Sequence, residues 1–123
     1  MLEVGEKVAI IGLGLIGGSI GLAVRQELPD CTTTGYDADP KVRDRARERK
    51  LADEIHDDPA EAVKGADLVI LCVPVGAMDK AASAISPGLS PACVISDVGS
   101  SKRSITKALT AALPGHTIIP AHP

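Results

Sequence analysis

The sequence predicts a single α/β domain with a doubly wound, mainly parallel sheet. Short runs rich in Val, Ile and Leu alternate with helix-length amphipathic segments along the chain, as in a parallel sheet covered by helices. The runs are also nearly continuous in apolar residues, which is typical of strands buried on both faces. A length of 123 residues suffices for one such domain.

Six strands are predicted from the apolar runs, the third of them short. They cover residues 7–11, 32–36, 54–56, 68–73, 93–97 and 117–119.

Three helical segments carry apolar residues three and four positions apart, and these faces are predicted to belong to the core. The faces consist of Ile16, Ile20, Ala23 and Val24; of Met78, Ala81, Ala82 and Ile85; and of Ile105, Ala108, Leu109 and Ala112. The pairs Asp39-Pro40 and Asp58-Pro59 predict two helix starts, each with a capping carboxylate followed by proline. The run Leu113-Pro114-Gly115 predicts the end of the last helix.

The first predicted strand leads directly into a glycine loop, Gly12-Leu13-Gly14-Leu15-Ile16-Gly17. The spacing G-x-G-x-x-G is that of the phosphate-binding turn in Rossmann-type domains. There the first glycine turns the chain sharply, the second lets a pyrophosphate approach the backbone, and the third lets the helix pack closely. The following helix would offer unpaired N–H groups to the anion. Glycine clusters also build ordinary turns, so the prediction that this whole loop binds a dinucleotide depends on its surroundings.

Asp37 ends the second predicted strand, about 20 residues beyond the glycines, where dinucleotide folds place an acid against the ribose. Its carboxylate would accept hydrogen bonds from the ribose hydroxyls and repel a 2′-phosphate, which favours NAD over NADP. Lys41 and Arg43 follow, but within a predicted helix rather than directly after the acid. The alternative is that Asp37 is a turn residue before Asp39-Pro40.

Composition and charge exclude several classes of partner. With 45% hydrophobic and 24% charged residues and a formal net charge of -3, the chain has an ordinary globular balance. Tyr36 is the single aromatic residue, so no stacking platform for single-stranded nucleic acid exists. The basic segment 41–50 is interrupted by Asp44 and Glu48 and is predicted to be a solvated helix face. No nucleic-acid partner is expected.

The cysteines and the N-terminal segment favour a cytoplasmic protein without a metal or a membrane anchor. Cys31, Cys72 and Cys93 are odd in number and lack C-x-x-C spacing, so neither a disulfide framework nor a zinc site is predicted. The first apolar run is shorter than a membrane span and lacks a signal peptide's basic start.

Three further motifs follow the later predicted strands: Cys72-Val73-Pro74-Val75-Gly76-Ala77-Met78, Asp97-Val98-Gly99-Ser100-Ser101-Lys102 and Ala121-His122-Pro123. Together with the glycine loop and Gly35-Tyr36-Asp37, they resemble the N-terminal NAD(P)-binding domain of prephenate and arogenate dehydrogenases. The resemblance covers the whole chain; the glycine loop is shared by many dehydrogenases, whereas the later motifs in this order are distinctive. It implies oxidative decarboxylation of prephenate or arogenate in tyrosine biosynthesis, with hydride transfer to NAD.

The resemblance implies catalytic roles for His122 and Ser100. His122 would hydrogen-bond the ring hydroxyl and take its proton as hydride leaves, a task suited to a neutral imidazole. Ser100 would lie beside the nicotinamide, although a serine there suits a helix N-cap equally well. Gly99 is assigned to a close passage of backbone past the cofactor. Val73 and Pro74 are assigned to the ribose and nicotinamide side, although a strand followed by a proline turn accounts for them equally.

The chain ends after a predicted strand, at the edge where open α/β sheets bind ligands. We therefore expect residues 1–123 to be one NAD-binding domain of a longer protein. The resemblance implies that the absent part is a helical domain for dimerisation and substrate binding. This chain alone is then expected to bind NAD but to oxidise its substrate weakly or not at all, and the complete protein is expected to be a homodimer.

Two other interpretations remain open at this stage. A 3-hydroxyacid dehydrogenase or pyrroline-carboxylate reductase domain would share the glycine loop but usually lacks the later motifs. A stand-alone NAD-sensing module would bind the dinucleotide and perform no chemistry. Prephenate and arogenate are not distinguished, because the discriminating groups are expected in the absent part.

Overall fold

The computed structural model describes residues 7–91, 93–97 and 117–120. Strands and helices alternate through most of this range, as predicted. The strands are β1 (Lys7–Ile11), β2 (Thr32–Tyr36), β3 (Glu54–Ile55), β4 (Leu68–Leu71), β5 (Val94–Asp97) and β6 (Thr117–Pro120). The α-helices are α1 (Leu15–Glu27), α2 (Pro40–Arg49), α3 (Pro59–Val63) and α4 (Met78–Ile85), and short 3-10 turns cover Val75–Ala77 and Ser86–Gly88. The predicted helix with Ile105, Ala108, Leu109 and Ala112 lies outside the described residues.

The strands form one parallel sheet in the order β3-β2-β1-β4-β5-β6. The chain runs outward from β1 through β2 to β3, then crosses to the other side of β1 and continues with β4. The strand order therefore reverses between β1 and β4, which is the switch point of a doubly wound sheet. The predicted fold class is confirmed.

Helices cover both faces of the sheet. On one face, α3 and α4 pack on β1, β4 and β5 through buried residues that include Val63, Leu71 and Ile85. On the other face, residues of α1 and α2 pack with Ile10 and Leu51. The predicted core face of α4 is confirmed, because three of its four residues are fully buried and Ala81 is partly buried.

Helix α1 packs on the sheet through glycine rather than through large apolar side chains. A Cβ placed on Gly17 would lie 1.7 Å from the carbonyl oxygen of Gly12, and one on Gly21 would lie 2.2 Å from that of Leu51. Backbone thus meets backbone along this face, and any side chain at these positions would force the helix away.

The predicted core face of α1 is consequently wrong in part. Ile16 is 58% exposed and Ala23 is also exposed. Ile20 and Val24 are partly buried against the core, as predicted. The glycine contacts rotate the helix so that Ile16, at its first turn, faces away from the sheet.

Both predicted aspartate caps are present. Asp39 accepts a hydrogen bond from the Lys41 N–H (2.9 Å) at the start of α2, and Asp58 accepts one from the Ala60 N–H (3.1 Å) at the start of α3. A proline occupies the first turn of each helix.

The turn between α2 and β3 is tied to the sheet by a buried threonine. Asp53 accepts hydrogen bonds from the N–H (2.8 Å) and the hydroxyl (3.1 Å) of Thr33, whose hydroxyl in turn accepts from the Asp53 N–H (2.8 Å).

Within the described ranges, no helix combines the length and the apolar character needed to cross a bilayer.

Candidate dinucleotide-binding site

A cavity of about 860 Å³ opens at the carboxyl ends of β1, β2 and β4. The glycine loop after β1 and the segment 72–74 after β4 line it, so it lies at the reversal of strand order. Open α/β sheets bind their ligands at this place, and the volume is typical of small-molecule and cofactor sites.

Gly12 turns the chain off β1 in a conformation that other residues rarely adopt. Its φ is +99°, and a Cβ on it would lie 2.7 Å from the carbonyl oxygen of Cys72. Its N–H donates to the carbonyl of Tyr36 (2.8 Å), which ties the loop to the end of β2. The glycine loop is thus fixed between the two neighbouring strands.

Gly14 differs from Gly12 and Gly17 in its surroundings. It has an ordinary φ of -70°, and a Cβ on it would meet no heavy atom within 4 Å. Because Gly14 is exposed and lines the cavity, its missing side chain leaves that space open to a ligand.

The N-terminus of α1 is directed at this space. Its N-cap is Gly14, no side chain hydrogen-bonds the cap, and no acidic residue lies in its first turn. Asp39 and Asp58, by contrast, cap α2 and α3. Leu15 and Ile16, at the start of α1, line the cavity. A helix end of this kind presents N–H groups and partial positive charge to an anion.

Asp37 lies beside the glycine loop and also lines the cavity. Its Oδ2 accepts from the Leu13 N–H (2.8 Å) and its Oδ1 from the Asp39 N–H (2.9 Å), so the carboxylate joins the loop to the start of α2. An ionised carboxylate has about four acceptor positions, so each oxygen can still accept a hydroxyl.

The structure brings together seven of the predicted cofactor-binding residues around the cavity: Gly12, Gly14, Leu15, Ile16, Asp37, Val73 and Pro74. Leu13 and Gly17 lie behind this wall. The Leu13 side chain is buried and only its N–H reaches Asp37, while Gly17 packs on Gly12.

Gly99, Ser100 and His122 lie outside the described residues. The strands that precede them are described: β5 ends at Asp97 and β6 at Pro120. Asp97 pairs with Leu71 and with Pro120, so both strands end at the edge of the sheet that carries the cavity.

The sequence interpretation missed the opposite wall of the cavity. Helix α4 and the turn before it contribute Ala77, Ala81 and Ala84, together with Lys80. The three alanines are spaced by four and three residues, the period of one helix face. That signal is present in the sequence, but the prediction assigns the periodicity of α4 to the core alone.

Arg43 is a further residue that the sequence interpretation placed wrongly. Its side chain is only 14% exposed, so it does not belong to a solvated helix face. The guanidinium lies over the Tyr36 ring, 5.6 Å from its centroid, and Nη1 donates to the carbonyl of Asp37 (2.7 Å). Nε forms an ion pair with Asp57 (3.0 Å).

Cys72 forms part of the cavity wall. Burial raises the pKa of its thiol to about 11, so the thiol is neutral near pH 7. Since the thiolate is the reactive form, Cys72 acts as a small apolar group at this pH.

A parallel sheet of this order, with a glycine loop at its switch point and an acid at the end of the second strand, defines a Rossmann-class dinucleotide-binding domain. The family model described as the nucleotide-binding domain of prephenate dehydrogenase matches residues 20–123. The chain belongs to this family, which confirms the resemblance found in the sequence.

Individual relatives agree with the family. A cyclohexadienyl dehydrogenase of Zymomonas mobilis is 48% identical over 122 residues, which cover 99% of this chain and 42% of that protein. A prephenate dehydrogenase of Lactococcus lactis is 35% identical over 106 residues, covering 83% of this chain and 28% of that protein. The crystal structure of A. aeolicus prephenate dehydrogenase in complex with hydroxyphenyl propionate and NAD+ has a TM-score of 0.85 at 25% identity, covering 100% of this chain and 43% of that one. The chain thus spans less than half the length of these relatives.

Proposed function

We propose that this chain is the NAD-binding domain of a dehydrogenase that oxidises and decarboxylates prephenate or arogenate in tyrosine biosynthesis. The observation that carries the proposal is the cavity at the switch point, where the N-terminus of α1 and the carboxylate of Asp37 border the same space. Family membership supports it, as does the A. aeolicus relative, whose structure contains NAD+.

Each part of the cavity suits one part of the dinucleotide. The N–H groups at the start of α1 would bind the pyrophosphate beside Gly14. Asp37 would accept hydrogen bonds from the adenosine ribose, and its charge would disfavour a 2′-phosphate. Tyr36 and the alanine face of α4 offer apolar contact to the adenine, while Val73 and Pro74 lie after β4, towards the nicotinamide.

His122 and Ser100 would perform the protein's part of the chemistry. When bound, NAD supplies the hydride acceptor. His122 would accept the proton of the ring hydroxyl, because hydride leaves a carbinol carbon readily only when its O–H is drawn towards an alkoxide. Ser100 would orient His122 or the substrate, and Gly99 would let the backbone pass close to the cofactor. The sequence motifs that contain these three residues support the assignment.

The rest of the enzyme would lie in a second region of the protein. We propose that residues 1–123 form the cofactor-binding domain of a longer cytoplasmic protein, which dimerises through a further domain and binds substrate with its help. The relatives support this, because this chain corresponds to 42% and 43% of the length of two of them.

Calorimetric titration of this chain with NAD and NADP tests the cofactor assignment. NAD should bind, and NADP should bind more weakly. The substitution Asp37→Ser should bring the affinities for NAD and NADP closer together, because it removes the charge that opposes a 2′-phosphate. Absence of NAD binding, or tighter binding of NADP by the unsubstituted chain, would contradict the proposal.

The catalytic assignment needs a protein that carries the whole enzyme. There, His122→Asn should lower kcat by about 100-fold or more, a typical share for a general base, and leave NAD affinity nearly unchanged. An unchanged kcat would remove His122 from the mechanism.

A further inference from the structure

We propose that Asp57 helps to set the cofactor preference of this site by restraining and neutralising Arg43 beside the ribose-binding carboxylate. The inference rests on the proposed NAD site. It assigns a specificity role to a residue that lies outside the cavity and 20 positions beyond Asp37 in the chain.

Arg43 is a cation bound to the backbone of Asp37, beside the proposed ribose position. Its Nη1 donates to the carbonyl of Asp37 (2.7 Å), and its guanidinium lies over the ring of Tyr36, which lines the cavity. Planar guanidinium groups bind phosphate well through paired N–H donors. An arginine here would favour NADP if its charge were uncompensated.

Asp57 supplies that compensation. Its Oδ1 accepts from Arg43 Nε (3.0 Å) and from Arg47 Nη2 (2.7 Å), so one carboxylate holds two arginines of α2. The carboxylate is ionised near pH 7 in any case, and the hydrogen bond from Arg47 and the neighbouring positive charges lower its pKa further. Nε of Arg43 is thereby committed, and its charge is balanced by a partner on another segment of the chain.

The charges around this corner disfavour a further anion. Asp37 borders the ribose position, Asp39 caps α2 beside it, and Asp57 lies on the far side of Arg43. Against these three carboxylates stand the two guanidinium groups of Arg43 and Arg47. Loss of the Asp57 charge would leave these five groups without a net negative charge and would weaken the contact that holds Nε of Arg43.

Asp57→Asn tests the proposal by calorimetric titration of the full chain with NAD and NADP at low ionic strength. The Asp57 side chain is 69% exposed, so the substitution should leave the fold intact. NADP affinity should rise about fivefold relative to NAD, the order expected when one guanidinium charge several ångströms from a phosphate dianion is no longer neutralised in a hydrated setting. The gain should shrink as salt is added.

Two further variants make the test specific. Asp44→Asn removes the same charge from an exposed position of α2 that pairs with Arg47 (3.4 Å), and it should change the ratio of NADP affinity to NAD affinity less than twofold. The double variant Asp57→Asn with Arg43→Gln should lose the gain, because the freed cation is then absent.

The possible outcomes separate the two proposals. If NAD binds and Asp57→Asn leaves the ratio unchanged, the role of Asp57 is refuted while the NAD site stands. A gain that persists without Arg43, or that Asp44→Asn reproduces, also refutes it, because a general charge effect would then suffice. If the unsubstituted chain binds neither dinucleotide, the proposed function itself fails.

Discussion

Gly14→Ala is the most direct test of the candidate site, because it adds one methyl group to the empty part of the cavity. The added Cβ would meet no heavy atom within 4 Å, and the φ of -70° is acceptable for alanine. Alanine is a poorer N-cap than glycine. It also lowers the entropy of the unfolded chain, which stabilises the folded protein by about 0.4–1 kcal/mol. The free energy of unfolding should therefore change by less than about 1 kcal/mol, and Tm by less than about 4 °C.

The same methyl group should strongly weaken NAD binding. It would occupy the space through which the pyrophosphate approaches the N-terminus of α1. Forcing a methyl group into a close contact costs about 1–3 kcal/mol, so NAD affinity should fall roughly 10- to 100-fold. Thermal denaturation and calorimetric titration of the same preparation measure both effects.

Gly17→Ala is the matched control, because it adds the same methyl group three residues further along. Its Cβ would lie 1.7 Å from the oxygen and 2.9 Å from the carbon of the Gly12 carbonyl. Both are backbone atoms that cannot move aside cheaply, so unfolding should become easier by about 3 kcal/mol, a loss of roughly 10 °C in Tm. The two substitutions should thus separate ligand binding from folding.

Two results would refute this reasoning. Unchanged NAD affinity of Gly14→Ala would show that the pyrophosphate does not approach the loop at this residue. A loss of stability in Gly14→Ala as large as that in Gly17→Ala would show that the space at Gly14 is not open.

Two further predictions concern the fold and the cavity wall. Thr33→Val should lower the free energy of unfolding by about 1–3 kcal/mol in denaturant titration, because it removes the buried hydroxyl that hydrogen-bonds with Asp53. Thr32→Val, at an exposed position, should change this free energy by less than about 0.5 kcal/mol, and equal effects would refute a role for the Thr33–Asp53 hydrogen bonds. Alkylation of Cys72, followed by peptide mass spectrometry, should be slow at pH 7 and accelerate as pH rises towards about 11, because burial raises the pKa of the thiol to about 11. NAD should slow the alkylation, because Cys72 lines the cavity, and rapid alkylation at pH 7 would contradict the raised pKa.

The sequence was sufficient to place the strands along the chain and the glycine loop at the end of β1. Strands β1 and β2 begin and end where the apolar and β-branched runs predict, because both faces of a parallel strand are buried and composition marks its limits. Strand β4 ends at Leu71, two residues before the end of its apolar run, and Cys72 and Val73 line the cavity instead. Apolar composition alone does not distinguish a strand residue from a cavity wall.

Contacts between distant segments explain what the sequence could not predict. Periodicity placed Ile16 in the core, but the closeness of α1 to the sheet depends on Gly17 meeting the Gly12 carbonyl. The sequence predicts a solvated face for Arg43 because its neighbours on α2 are charged. Its burial comes from Asp57 and Tyr36, and neither contact follows a helical spacing.

The start of α1 shows why the glycine loop suits a reversible anion site. Helices α2 and α3 begin on an aspartate that satisfies an N–H group of the first turn, whereas α1 begins on Gly14, which has no side chain to do so. Glycine is inferior to aspartate as an N-cap by only a few tenths of a kcal/mol, so the fold tolerates the uncapped end. An aspartate at position 14 would satisfy the same N–H groups and repel a pyrophosphate. In α2 and α3 the aspartate side chain makes these hydrogen bonds, whereas at α1 the absent side chain leaves them to the ligand. Ligand binding at this uncapped helix end should therefore stabilise the folded state by mass action.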